Sequence, residues 1–184
     1  MSGTGAGARA GAVPRLQRRQ PLLCVLGVTA QGASSDSATR ELREIDAGQT
    51  HLCHGAMSAL RPDFTDERVF AGHVDGVLRP AGYRLVGCFV APREQAVAVA
   101  GFRVSDSLAW GHYLYVDDLC TLPQARRRGH ARALLAWLVQ EARRLGCAQL
   151  HLDSGTGPDR FDAHRLYHAA GLSIHSHHFA RAVG

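Results

Sequence analysis

Leu119-Cys120-Thr121-Leu122-Pro123-Gln124-Ala125-Arg126-Arg127-Arg128-Gly129-His130-Ala131-Arg132-Ala133-Leu134-Leu135 is the stretch on which the fold turns. A strand-like run ends at Leu122-Pro123, and a basic turn with one glycine follows. A long amphipathic segment then begins at Ala131. Ala131, Leu134, Leu135, Leu138, Val139, Ala142 and Leu145 recur at helical spacing, while Arg132, Gln140, Glu141, Arg143 and Arg144 take the other faces. The spacing predicts a helix over 131–145, stopped by Gly146. The first turn of a helix leaves amide hydrogens without intrahelical partners, at the positive end of the macrodipole. Such a turn binds anions. Gly129 lets a phosphate approach the backbone or lets φ turn positive, Ala131 keeps the next turn narrow, and the arginines add charge where a diphosphate would sit.

C-terminal to this helix, residues 148–152 read as a strand, 153–158 as a loop, 159–170 as a helix stopped by Gly171, and 172–179 as a final strand. On the other side, 83–90, 96–104 and 113–122 are strand-like, with Pro92 and Ser105-Asp106-Ser107 in the intervening loops. Before them, 49–60 reads as a helix stopped at Arg61-Pro62. Thr65 is the expected N-cap of a second helix whose apolar face holds Val69, Phe70, Val74, Val77 and Leu78. Residues 40–45 give a first strand. Hairpins followed by a strand–helix–strand crossover mean an α+β domain. The expected sheet is mixed, mostly antiparallel and twisted, with six to seven strands and helices on both faces.

The chain has 184 residues, 46% of them apolar, which suits one core. No apolar run approaches the roughly 18–20 residues of a membrane span. All 21 basic residues are arginine and the formal charge is +5. The absence of lysine excludes a Schiff-base lysine and a P-loop lysine, and arginine suits phosphate. Five scattered cysteines without a CxxC argue against a disulfide framework or structural zinc. Residues 1–35, rich in Gly, Ala and Ser, read as a disordered or leader segment ahead of a folded domain over 36–184. Arg18-Arg19 and the apolar run 21–30 have the look of a secretory signal, but the run contains Pro21 and Gly27.

Arg126, Gly129 and Ala131 fill the fixed positions of a pattern, Q/R-x-x-G-x-G/A at a strand-to-helix junction, that resembles the acetyl-CoA signature of the GNAT N-acetyltransferase superfamily. Ala163-His164-Arg165-Leu166-Tyr167-His168-Ala169-Ala170-Gly171 resembles that family's late A-x-x-x-Y-x-x-x-G helix. The resemblance spans roughly residues 38–180. It implies an acyltransferase moving acetyl from acetyl-CoA to a primary amine by direct attack in a ternary complex, without a metal, in the cytoplasm where CoA is found. In this family the fourth strand bulges and splays from the fifth, so Leu119, Cys120 and Thr121 would meet the pantetheine arm. Arg126, Arg127, Arg128, Gly129, His130, Ala131 and Arg132 would cradle the diphosphate. Tyr167 stands where the family has its general acid. Where the family often has Asn, seven residues before that tyrosine, this chain has Arg160.

For a base, the strand offers Asp117 and Asp118. Alternation puts Tyr115, Asp117, Leu119 and Thr121 on one face and Asp118 and Cys120 on the other, a parity that a bulge would reverse. Asp117 is the candidate base, or the group that orients a cationic amine; Asp118, Asp153 and His164 are candidate acceptor-binding residues. Two carboxylates favour a cationic small molecule or peptide as acceptor. Eleven histidines invite a metal reading, but His164 and His168 at i, i+4 lack the remainder of a metal motif. A nucleic-acid partner is not expected, since no basic strand interleaved with aromatics occurs. A CoA-binding regulator or a nucleic-acid binder without transferase activity is the alternative reading, and a homodimer is compatible with the family.

Overall fold

The computed structural model describes residues 39–183; the reading of residues 1–35 as a tail or leader lies outside them. Five strands form one sheet in chain order: β1 (Arg40–Glu44), β2 (Arg84–Val90), β3 (Ala98–Ser107), β4 (Gly111–Thr121) and β5 (Gln149–Leu152). The first three pairings are antiparallel and β4–β5 is parallel. A parallel pair needs a crossover, which α3 (His130–Arg144) supplies. The other helices are α1 (His54–Ser58), α2 (Glu67–His73) and α4 (Phe161–Ala169).

Each face of the sheet carries a core. Phe102, Leu114 and Val116 pack against Leu134, Leu135 and Leu138 of α3. On the opposite face, Leu85, Val99 and Cys120 pack against Cys53, Met57, Phe70 and Val74. Every leucine so buried contributes about 1.5–3 kcal/mol. Arg84 ties α3 to the sheet: it bonds Glu44 at 2.6 Å and Glu141 at 2.5 Å, and Arg144 closes on Glu141 at 2.7 Å.

Several expected elements differ. Residues 172–179 form no strand: Ile174 and Phe179 are exposed, so the segment has no buried face to fix a register. The sheet of the described residues therefore has five strands. The helix expected over 49–60 is a 3-10 turn, Thr50–Cys53, followed by the short α1. Asp66, not Thr65, caps α2, accepting from the amides of Arg68 and Val69. α2 continues into a wider π turn, Val74–Leu78. Phe70 and Val74 take the buried face, leaving Val69 and Val77 in solvent.

The register of β3–β4 shifts between Gly101 and Phe102, which pair with Asp118 and Val116. Asp117 is the extra residue, a β-bulge. Below it, Leu114 and Val116 face α3; above it, Leu119 packs on the α3 side and Cys120 on the α1–α2 side. Strict alternation fails at this point. Asp117 and Asp118 share the α1–α2 face, and Leu119 lies on the other.

Candidate active site

The bulge brings the two carboxylates to one cavity of about 200 Å³ under α1 and α2. Met57, Phe64, Phe70, Val74 and Leu78 form its apolar wall. The polar wall is Arg61, His73, Tyr83, Arg103, Asp117 and Asp118. Tyr83 Oη donates to Asp118 Oδ2 at 2.8 Å, and Arg61 Nε donates to Asp118 Oδ1 at 2.8 Å. Arg103 Nε donates to both oxygens of Asp117, at 3.2 and 3.0 Å, and its guanidinium stands over the Tyr83 ring. The phenol crosses directly above Gly101: a Cβ there would lie 1.8 Å from Tyr83 Oη. Gly101 is thus what lets Tyr83 reach Asp118.

Burial pushes the Asp117 carboxyl above its ordinary range, with the Arg103 guanidinium opposing. A carboxylate so raised is a better proton acceptor. Burial and the neighbouring Asp118 charge drive the Tyr83 phenol well above its usual value, so it stays protonated and donates. The two carboxylates that favoured a cationic acceptor are each already paired with a guanidinium.

A second feature opens beside this cavity. The β4–β5 ladder stops at Val116 paired with Leu152, whereas β4 runs on to Thr121. Among the described residues, 117–121, including Leu119, Cys120 and Thr121, are therefore unpaired on the β5 side. The Thr121 hydroxyl is buried and meets no partner among the described residues. Burial raises the Cys120 thiol, and the charges of Arg126 and Arg160 oppose it.

β4 leads into the turn quoted at the outset. Arg127 has φ 61° and Gly129 φ 79°, both left-handed, so the chain folds back sharply before α3. Gly129 is the N-cap and brings no side-chain acceptor. The first bond into the helix is Ala133 N–H to Gly129 O, so the amides of His130, Ala131 and Arg132 meet no backbone acceptor among the described residues. Arg40 of β1 braces the turn, donating to the Arg128 carbonyl at 2.7 Å and to His130 Nδ1 at 3.2 Å. The His130 ring is buried against Cys88; burial and two arginines lower its pKa. Only its amide is left to face a ligand. Arg126, Arg128 and Arg132 are exposed, and Arg127 pairs with Asp162 of α4 at 3.1 Å. Orphan amides at a helix mouth suit an anion, and an open strand edge suits an extended, amide-bearing partner.

Tyr167 of α4 is half-buried against the α3-side core. Its phenol is raised by burial, opposed by Arg160, whose charge also acts on Cys120. Asp153 and His164 do not line the cavity. Asp153 accepts from Tyr115 Oη and pairs with His178 at 3.0 Å, while His164 bonds Ser154 and the Gly155 carbonyl in the β5–α4 loop. Among the described residues no three His, Cys, Asp or Glu side chains converge as a metal site, and no helix is long and apolar enough to cross a membrane. Tyr83, Arg103 and Arg40 were not legible as site residues, because each acts across long sequence separations. The one local hint was a lone glycine inside the β3 pattern, which signals a close approach.

The acetyltransferase (GNAT) family model matches residues 50–172. An N-acetyltransferase of Bacillus subtilis strain 168, YhdJ, itself uncharacterized, is 30% identical over 128 residues, covering 69% of this chain and 87% of its own. A Trypanosoma brucei acetyltransferase superposes with a TM-score of 0.67 at 19% identity, covering 79% of this chain and all of the other. The aminoglycoside N-acetyltransferase AAC(6')-Iy, solved with CoA, does so with 0.64 at 16% identity, covering 82% and 99%. At these identities the two structures speak for the fold.

Proposed function

The chain belongs to the GNAT acetyltransferase family and is an acyltransferase, and from that premise we propose that it moves acetyl from acetyl-CoA to a primary amine by direct attack in a ternary complex. The observation that supports this best is the separation of β4 from β5 above Val116, leading directly to the uncapped mouth of α3. In this reading the diphosphate rests on the amides of Gly129 to Arg132, with Arg126 and Arg128 adding charge. The pantetheine arm runs along residues 119–121, and an amide on that edge polarises the thioester carbonyl.

The acceptor enters from the cavity. An ammonium must first lose a proton, and Asp117, with its raised pKa, accepts it directly or through water. The neutral nitrogen attacks the thioester carbon, the C–N bond forms, the C–S bond breaks, and Tyr167 protonates the departing thiolate. One further proton leaves the new amide. The products are an N-acetylated amine, CoA thiol and one proton. The compartment that fits this donor is the cytoplasm.

The test is thiol release from acetyl-CoA with a panel of amines, for wild type and Asp117→Asn. We expect amine-dependent release, with kcat/KM down about 100-fold in the variant. Unchanged kinetics in the variant would remove Asp117 from the chemistry, and absence of release with any amine would sink the transfer reading.

A further inference from the structure

We propose that the acceptor is a small free amino acid with an apolar side chain, rather than a polyamine or aminosugar; this rests on the acetyl-transfer reading above. Three observations carry it. First, the fixed charges of the cavity balance: Asp117 and Asp118 face Arg103 and Arg61, each pair in direct contact, and the His73 imidazole is the other titratable group of the lining that could add positive charge. A polycation entering such a pocket gains no net attraction, whereas a zwitterion adds one charge of each sign. Second, the guanidiniums retain donors. Among the described residues Arg103 bonds Asp117 through Nε and nothing through its terminal nitrogens, which can take a carboxylate in forked fashion. Asp117 and Arg103 side by side thus match an α-ammonium beside an α-carboxylate. Third, apart from His73 and the Tyr83 phenol the remaining wall is apolar, built from Met57, Phe64, Phe70, Val74 and Leu78, and the cavity is about 200 Å³. That volume is below the roughly 300–1,000 Å³ of pockets for drug-sized molecules and is of the scale of one leucine, methionine or phenylalanine side chain. The products are then an N-acetyl amino acid and CoA thiol.

The experiment measures CoA thiol release by the full chain with L-leucine, L-methionine and L-phenylalanine, their α-amides, spermidine and kanamycin, alongside acetyl-CoA binding by calorimetry. We expect turnover of at least one amino acid, with its amide lower in kcat/KM by about tenfold or more, as for loss of a charged hydrogen bond. Arg103→Met should bring the amino acid down to the level of its amide. Equal turnover of acid and amide, or preference for spermidine or kanamycin, overturns the inference and leaves acetyl transfer standing. Binding of acetyl-CoA without turnover of any amino acid overturns it also. Failure of both binding and release removes the transfer reading, and the inference with it.

Discussion

Gly101→Ala is the sharpest perturbation the structure offers. A β-carbon there would meet Tyr83 Oη at 1.8 Å, Cζ at 2.3 Å and Cε2 at 2.7 Å. The phenol is 3% exposed, with the α1–α2 core behind it. For the oxygen to withdraw from 1.8 Å to an ordinary contact near 3.4 Å, it must abandon its 2.8 Å bond to Asp118. Losing a hydrogen bond to a buried carboxylate costs about 1.5–3 kcal/mol, and forcing the ring into packed neighbours adds about 1–3 kcal/mol. The sum, about 2.5–6 kcal/mol, is a large part of the 5–15 kcal/mol by which domains are stable. Urea unfolding followed by circular dichroism reads it as a drop in midpoint at constant slope. Tyr83→Phe, which removes only the hydroxyl, should lose about 1.5–3 kcal/mol. A Gly101→Ala change under about 0.5 kcal/mol would refute the crossing of Tyr83 over the strand and, with it, the geometry of the acceptor wall.

Gly129→Asp puts a carboxylate at the mouth of α3, at a left-handed position that Asp tolerates better than most residues; KM for acetyl-CoA should rise about tenfold or more while the unfolding midpoint stays near wild type. Tyr167→Phe should lower kcat about 100-fold with little change in either KM, if the phenol protonates the thiolate; unaltered kcat assigns it to packing. Glu141, gripped by Arg144 and Arg84, has its carboxyl pulled down to about 2. A folded pKa below the unfolded one stabilises the fold above the unfolded value, near 4.3, and that stability is lost as pH falls toward 2. Glu141→Gln should therefore cost about 2 kcal/mol at pH 7, with the difference from wild type shrinking between pH 4.3 and 2 in acid unfolding curves. Because burial raises Asp117, the acidic limb of kcat/KM should lie above the ordinary aspartate range and vanish in Asp117→Asn.

What the sequence revealed was mainly local. The α3 periodicity and the glycine before it are properties of neighbouring residues, and the helix begins at His130, one position from the expected start. The strands of the central hairpins were legible for the same reason. The Asp117 bulge was not, since it depends on register against β3, and it alone decides that Asp117 and Asp118 share a cavity. Tyr83 and Arg103 belong to that cavity through contacts 35 and 14 residues apart, which no spacing rule reports. The π turn at Val74–Leu78 misdirected the amphipathic reading of α2 by rotating its later residues. Residues 172–179 alternate weakly and look strand-like, but no buried face holds them.

Calorimetric titration of acetyl-CoA into the full chain tests whether the open amides of α3 hold the donor. One saturable site per chain, weakened about tenfold or more by Gly129→Asp, is the predicted result. No heat of binding at millimolar acetyl-CoA, or equal affinity in the variant, would contradict it.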